Sequence, residues 1–177
     1  GLRRSEICGL KWENVDLKEG VLYICEARTA ANGIAVDKGP KSPSSVRRLA
    51  FTGNVDLRGM LLQMHQRYLQ DKERYGEAFN PQGFVMTHGR GRPYSPDYLS
   101  GHFTKVVRES GLPPCTLHGL RHSFASIANS QRVPMFSICK ALGHSNTAIT
   151  SKVYMHLFDD THQEVVDLVG QAIAAQG

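Results

Sequence analysis

The sequence is poor in cysteine and shows no spacing among the four it has. Cys8, Cys25, Cys115 and Cys139 lie far apart without a C-x-x-C pair, which excludes a zinc knuckle and argues against a disulfide framework. No apolar run is long enough to cross a bilayer and no signal peptide is recognisable, so no membrane partner is expected and a reducing cytoplasm is the expected compartment. Repeats and low-complexity blocks are absent as well, which removes solenoids and fibrous classes. Acidic residues are outnumbered, 16 against 21 Lys and Arg, for a net charge of +5 and a pI near 9.1. With eight histidines that gain charge in a phosphate field, this balance leans toward a polyanionic partner. A chain of 177 residues that is 41% hydrophobic suits one substantial core, hence one domain over 1–177.

What is present reads as mostly helical with one small sheet. The stretch "GLRRSEICGLKWENVDL" starts inside a helical pattern, with Ile7 and Leu10 apolar and Arg3 and Glu6 three apart on another face. "GVLYICEA", "GIAVD" and "SVRRLAF" read as strands. Joined by the turn-rich "TAANG" and "KGPKSPSS", they would form a meander of three antiparallel strands. Asn54 to about Tyr75 is a long amphipathic helix with Leu57, Leu61, Met64 and Leu69 on its apolar side. After the short apolar "FVMT" and the basic "HGRGRPYSP", helices are expected over Pro96–Ser110, Leu117–Asn129, Met135–Leu142, Thr147–Met155 and His162–Ala175.

The segment "TLHGLRHSFAS" carries the chemistry. Leu117, Leu120, Phe124 and Ile127 recur at helical spacing, which predicts a stripe anchored in the core. His118 and Arg121 follow one position later and would share the shoulder of that stripe, beside a cleft. Other polar residues with chemical potential are Arg3, Lys41 in the turn before the last strand, His144 in "LGHS" and Tyr154 in "SKVYMHL". Each has an ordinary reading: an arginine paired with Glu6, a solvated loop lysine, a histidine beside a helix cap, a half-buried helix tyrosine. Their joint occurrence in this order is what gives them weight.

In order and spacing, "GLRRSE", "PKSPSSVRRL", "LHGLRHSFAS", "LGHS" and a tyrosine ten residues after that histidine resemble the catalytic domain of the tyrosine recombinase or phage integrase family. The resemblance spans Arg3 to about His156, and its most specific part is H-x-x-R followed by L-G-H and then Tyr. It implies an α+β, mainly helical fold around a small three-stranded antiparallel sheet. It also implies site-specific cutting and rejoining of double-stranded DNA through a covalent 3′-phosphotyrosyl intermediate. Arg3 matches the first catalytic arginine, Lys41 the sheet-turn lysine with Lys38 as competitor, and His118 and Arg121 the H-x-x-R pair. His144 matches the second histidine, Tyr154 the nucleophile, and Glu6 an acidic position that supports the arginines. His122 would be structural.

The residue types suit that chemistry. A phosphodiester can be broken and remade without ATP if its energy is held in a protein–phosphate ester. Tyrosine, with a phenol pKa near 10, needs help losing its proton yet leaves readily in the reverse step. Two arginines present planar donor forks to the negative phosphate oxygens and never deprotonate, so no metal or other cofactor is called for. The basic stretches "DKGPKSPSSVRR" and "HGRGRP" make Arg47, Arg48, Arg90 and Arg92 candidate phosphate contacts. From the family come further expectations: attachment-site DNA as partner, assembly into a homo-oligomer on that DNA, accessory DNA-bending or directionality proteins, and a bacterial or phage-encoded origin. The chain is expected to be a fragment, without the helices that normally precede Arg3 in the domain and without a preceding DNA-clamping domain. The segment "HLFDDTHQEVVDLVGQAIAA" resembles a terminal helix that in many members packs on a neighbouring protomer. Two competing readings are a non-catalytic DNA-binding module and a zinc nuclease using His118, His122, His144 and His156.

Overall fold

Glu6 begins the regular structure. Its Oε2 accepts the backbone N–H of Arg3 at 2.8 Å, which satisfies one of the donors that a helix start leaves open, and helix α1 runs over Arg4–Gly9. Arg3 is therefore the N-cap, in extended conformation, one residue ahead of the helix the sequence pattern assigns it to. The computed structural model describes residues 1–31, 34–39 and 46–144. The two helices expected after Thr147 lie outside them.

After α1 a single 3-10 turn, Trp12–Asn14, leads to β1 (Val15–Asp16) and β2 (Val21–Ile24). These join β5 (Arg47–Ala50) in an antiparallel sheet of order β1-β2-β5, with Val15 opposite Leu22 and Ile24 opposite Arg47. The remaining strands, β3 (Ala27–Ala31) and β4 (Ile34–Lys38), form a separate antiparallel pair with Ala27 opposite Lys38. The three-stranded sheet is thus present, but "GIAVD" is not its middle strand. "GVLYICEA" divides after Ile24, because its second half is held by other neighbours. Lys11 Nζ reaches Glu26 at 2.7 Å, and Arg28 pairs with Asp37 while its guanidinium lies 5.0 Å from the centre of the Phe84 ring. Gly9 allows α1 to press on β3, since a Cβ there would fall 2.8 Å from the Ala27 Cα.

The apolar core collects on the sheet. Leu10, Trp12, Val15, Leu22, Ile24, Phe51, Leu61 and Val85 are buried together, and burial of each large side chain contributes roughly 1.5–3 kcal/mol. Helix α2 (Val55–Tyr75), capped by Asn54 Oδ1 on the Leu57 N–H at 2.9 Å, lays Leu57, Leu61, Met64 and Tyr68 against this core. Leu69, which the periodicity also offers, is 51% exposed; Tyr68 and His65 take the contact through the rings they set beside Trp12.

Three more helices follow. Helix α3 (Pro96–Glu109) starts with Ser95 as cap and Pro96 in its first turn, a position where a missing N–H costs nothing. Helix α4 (Leu117–Ser130) is capped by Thr116 Oγ1 on the Gly119 N–H at 2.9 Å. Helix α5 (Met135–Leu142) ends at Gly143 in the left-handed conformation, φ 66°. Helix α4 reverses the expected orientation. Arg121 and Ala125 are buried, whereas Leu120, Phe124 and Ile127 are 47%, 41% and 62% exposed. The stripe does not anchor the helix; what draws it inward is a set of arginine hydrogen bonds and the small Ala125.

Candidate active site

The reversal of α4 has its cause at the end of α5. A helix C-terminus leaves its last carbonyls without intrahelical partners and carries the negative end of the helix dipole. Here three consecutive carbonyls are each taken by a different arginine. Ala141 O accepts from Arg47 Nε at 2.6 Å, Leu142 O from Arg121 Nη2 at 2.6 Å, and Gly143 O from Arg3 Nη2 at 2.8 Å. Arg121 Nη1 donates in addition to Gly1 O at 2.6 Å. Side chains from the chain start, strand β5 and helix α4 thereby converge on one turn of backbone.

One carboxylate balances much of the charge. Glu6 Oε1 accepts from Arg3 Nη1 at 2.7 Å and from Arg47 Nη1 at 3.0 Å; Glu6 Oε2 accepts from Arg47 Nη2 at 2.8 Å. Burial alone would raise the Glu6 pKa. The hydrogen bonds and charges of Arg47 and Arg3 outweigh it and hold the carboxyl below its usual range. The side chains of Glu6 and Arg47 are 5% and 4% exposed, but that of Arg3 is 37% exposed, so Arg3 alone of the three reaches open space.

That space is a cleft of about 630 Å³ lined by Leu2, Arg3, Arg4, Ser5, Ser100, Thr104, Thr116, Leu117, His118, Arg121 and His144. His144 follows Gly143 directly, its backbone N–H bonded to Cys139 O at 3.1 Å. Burial, then the charges of Arg121, Arg3 and Arg47, push its pKa down to about 4. The imidazole is therefore neutral near pH 7 and carries one donor and one acceptor nitrogen. His118 projects from the first turn of α4 and its Nε2 lies 2.8 Å from His122 Nε2, four residues on, so one ring donates and the other accepts. The arrangement can hold an anion between guanidinium donors, with two imidazoles beside it for hydrogen bonding or proton transfer.

Of the residues singled out in the sequence, Arg3, His118, Arg121 and His144 meet at this cleft and Glu6 lies beneath it. Lys41 and Tyr154 lie outside the described residues. Lys38 is exposed at the end of β4. Arg48, Arg90 and Arg92 are exposed. Arg47, expected as a phosphate contact, is not available for one: its guanidinium is buried against Glu6 and Ala141. Ser100 and Thr104 line the cleft without any motif to mark them, Thr116 opens the segment that carries His118 and Arg121, and Arg4, also on the wall, pairs with Asp97 at 3.2 Å. Among the described residues, no group of three or more His, Cys, Asp and Glu is placed to hold a metal ion. His156 lies outside those residues.

Comparison with known proteins agrees with the family resemblance. A model described as "Phage integrase family" matches residues 1–161. The tyrosine recombinase XerC of Bacillus licheniformis is 30% identical over 164 residues, covering 90% of this chain and 46% of that protein. The ICEBs1 integrase of Bacillus subtilis is 28% identical, covering 94% and 45%. Among solved structures, the Tn1549 transposon integrase in complex with transposon right end DNA superposes with a TM-score of 0.74 at 23% identity, over 94% of this chain and 55% of that one. The XerA recombinase superposes with a TM-score of 0.66 at 21% identity, over 94% and 53%. The chain thus spans about half the length of these relatives.

Proposed function

The chain belongs to the phage integrase family, and from that premise we propose that it carries the strand-exchange chemistry of a site-specific DNA recombinase, cutting and rejoining attachment-site DNA. The observation that supports this best is the convergence of Arg3, His118, Arg121 and His144 on one cleft beside the buried Glu6.

Each role follows from the chemistry of its residue. Arg3 and Arg121 neutralise the non-bridging oxygens of the scissile phosphate, supplying the charge that divalent cations supply in other phosphoryl transfers. The Tyr154 hydroxyl oxygen attacks phosphorus, His118 accepts its proton, and the bond from phosphorus to the 5′ oxygen breaks. Lys41, or Lys38 in its place, gives a proton to that leaving oxygen. The product is a 3′-phosphotyrosyl ester and a free 5′ hydroxyl. Attack by a 5′ hydroxyl reverses the step with no net change in the number of ester bonds. His144, neutral at the start, hydrogen-bonds a phosphate oxygen through its ring N–H. The exposed Arg48, Arg90 and Arg92 bind flanking phosphates. Double-stranded DNA as partner is supported by the Tn1549 integrase, which is in complex with transposon right end DNA. Action as a homo-oligomer on DNA, aided by accessory bending or directionality proteins, in a bacterial or phage-infected cytoplasm, belongs to the same reading.

The test is a nicked suicide DNA substrate carrying the attachment site, incubated with the full-length protein in EDTA and resolved on a denaturing gel. A covalent protein–DNA adduct that disappears in Tyr154→Phe, with DNA binding retained, is the expected result. Tight binding without any adduct would make the chain a non-catalytic DNA-binding module. Cleavage that is absent in EDTA and appears when zinc replaces the chelator would instead favour a histidine-based zinc site.

A further inference from the structure

We infer that Arg47 is a positioning residue for Arg3, a third arginine of the site that never touches DNA. This rests on the reading of Arg3 as a ligand of the scissile phosphate. Arg47 presents both terminal nitrogens of its guanidinium to the two oxygens of Glu6, at 3.0 and 2.8 Å, while its Nε holds Ala141 O at 2.6 Å. Glu6 in turn grips Arg3 twice, through Nη1 at 2.7 Å and the backbone N–H at 2.8 Å. Gly143 O, two residues past Ala141, takes the remaining Arg3 contact at 2.8 Å. Arg47 thus braces both surfaces that orient Arg3: the carboxylate on α1 and the carbonyl edge at the end of α5.

A planar fork is needed for this task. A lysine at position 47 would bring one ammonium to a place where three donors point in two directions, so it could satisfy the carboxylate or the carbonyl but not hold both in register. Without Arg47, one carboxylate facing Arg3 alone is free to rotate. Arg3, already 37% exposed, would then sample orientations that miss the phosphate. The loss falls on transition-state stabilisation and not on DNA affinity, because the side chain of Arg47 is itself only 4% exposed.

The experiment compares R47K and R47M with R3A in the full-length protein on two suicide substrates, one with a normal scissile phosphate and one with a methylphosphonate there. The methylphosphonate lacks one negative oxygen and depends less on guanidinium charge. Both Arg47 variants are expected to bind DNA as wild type does and to cleave the phosphate roughly tenfold to a hundredfold more slowly, less than deletion of a transition-state donor costs. The deficit should shrink on the methylphosphonate, in parallel with R3A. R47K, which keeps charge and most of the volume, carries the test where R47M fails to fold. Equal loss on both substrates with a lowered melting temperature would overturn the inference and leave Arg47 a purely structural residue, as would wild-type rates on both. If R3A itself cleaves the phosphate normally, the fault lies in the reading of Arg3, which separates the two failures.

Discussion

At the scale of single residues, the site depends on one backbone conformation. Gly143 sits at φ 66°, where a side chain costs about 1–2 kcal/mol, and a Cβ added there would meet Arg47 Nη1 at 2.7 Å. Gly143→Ala should therefore strain the helix end and displace the arginine it faces. A stability loss of about 1–2 kcal/mol corresponds to roughly 2–8 °C in melting temperature for a chain of this size, measurable by thermal denaturation. A melting temperature equal to wild type would mean that the left-handed turn and the Arg47 packing are both dispensable. Glu6→Gln is a harsher change. The amide keeps the shape but turns a donor toward one of two guanidiniums, and removal of one partner from a buried charge pair costs about 3–5 kcal/mol. Denaturant titration should register that loss; a loss below about 1 kcal/mol would show that solvent compensates the arginines.

At the scale of elements, packing around α4 departs from its periodicity. Leu117, Leu120, Phe124 and Ile127 form a regular apolar stripe, yet Ile127 is 62% exposed while Ala125 on the neighbouring face is 1% exposed. Ile127→Gln is accordingly expected to change stability by no more than about 0.5 kcal/mol, as surface substitutions do, whereas Ala125→Leu should cost about 1–3 kcal/mol by overpacking. Equilibrium unfolding of the two variants decides it, and the opposite order would restore the stripe as the anchor. The same comparison explains what the sequence made legible. Helices α2, α3 and α5 and the start of α4 match the spans expected from the sequence, and their ends coincide with local signals, the caps Asn54, Ser95 and Thr116 and the terminating Gly143. Arg3, His118, Arg121 and His144 were legible as a set through the family resemblance of "GLRRSE", "LHGLRHSFAS" and "LGHS", since each alone has an ordinary reading. Arg47 was not. A buried arginine on a short strand has the same letters as an exposed one, and its role depends on Glu6 and Ala141, which lie 41 and 94 residues away. The split of "GVLYICEA" was hidden for a related reason, since it is decided by Lys11, Asp37 and Phe84 across the fold.

At the scale of the whole molecule, the end of α5 is where distant parts of the chain are joined. Arg3, Arg47 and Arg121 reach it across sequence separations of 140, 94 and 21 residues. Such concentration of positive charge in a partly dry site is an arrangement suited to an anion, and without one it should make stability depend on pH. His144 is the indicator. Its pKa falls from the usual 6.5 to about 4 in the folded protein, so as the pH drops below about 6.5 the unfolded chain takes up a proton that the folded one refuses. Stability should decline between pH 6.5 and 4, with no further loss from this residue below that. His88, also depressed by burial and by Arg92 and His102, contributes in the same direction. Glu6, whose folded pKa lies below the usual 4.5, adds a separate loss at lower pH as its carboxyl protonates. Melting temperatures recorded from pH 8 to 4 should thus fall for wild type and fall less for His144→Gln, the difference between the two curves isolating His144 from His88. A phosphate seated between Arg3 and Arg121 would offset their charge and raise the His144 pKa, so DNA binding near pH 6 should draw in a proton that His144→Gln does not. Parallel melting curves for the two proteins over that window would mean that His144 is ordinarily solvated and that the arginine field does not reach it.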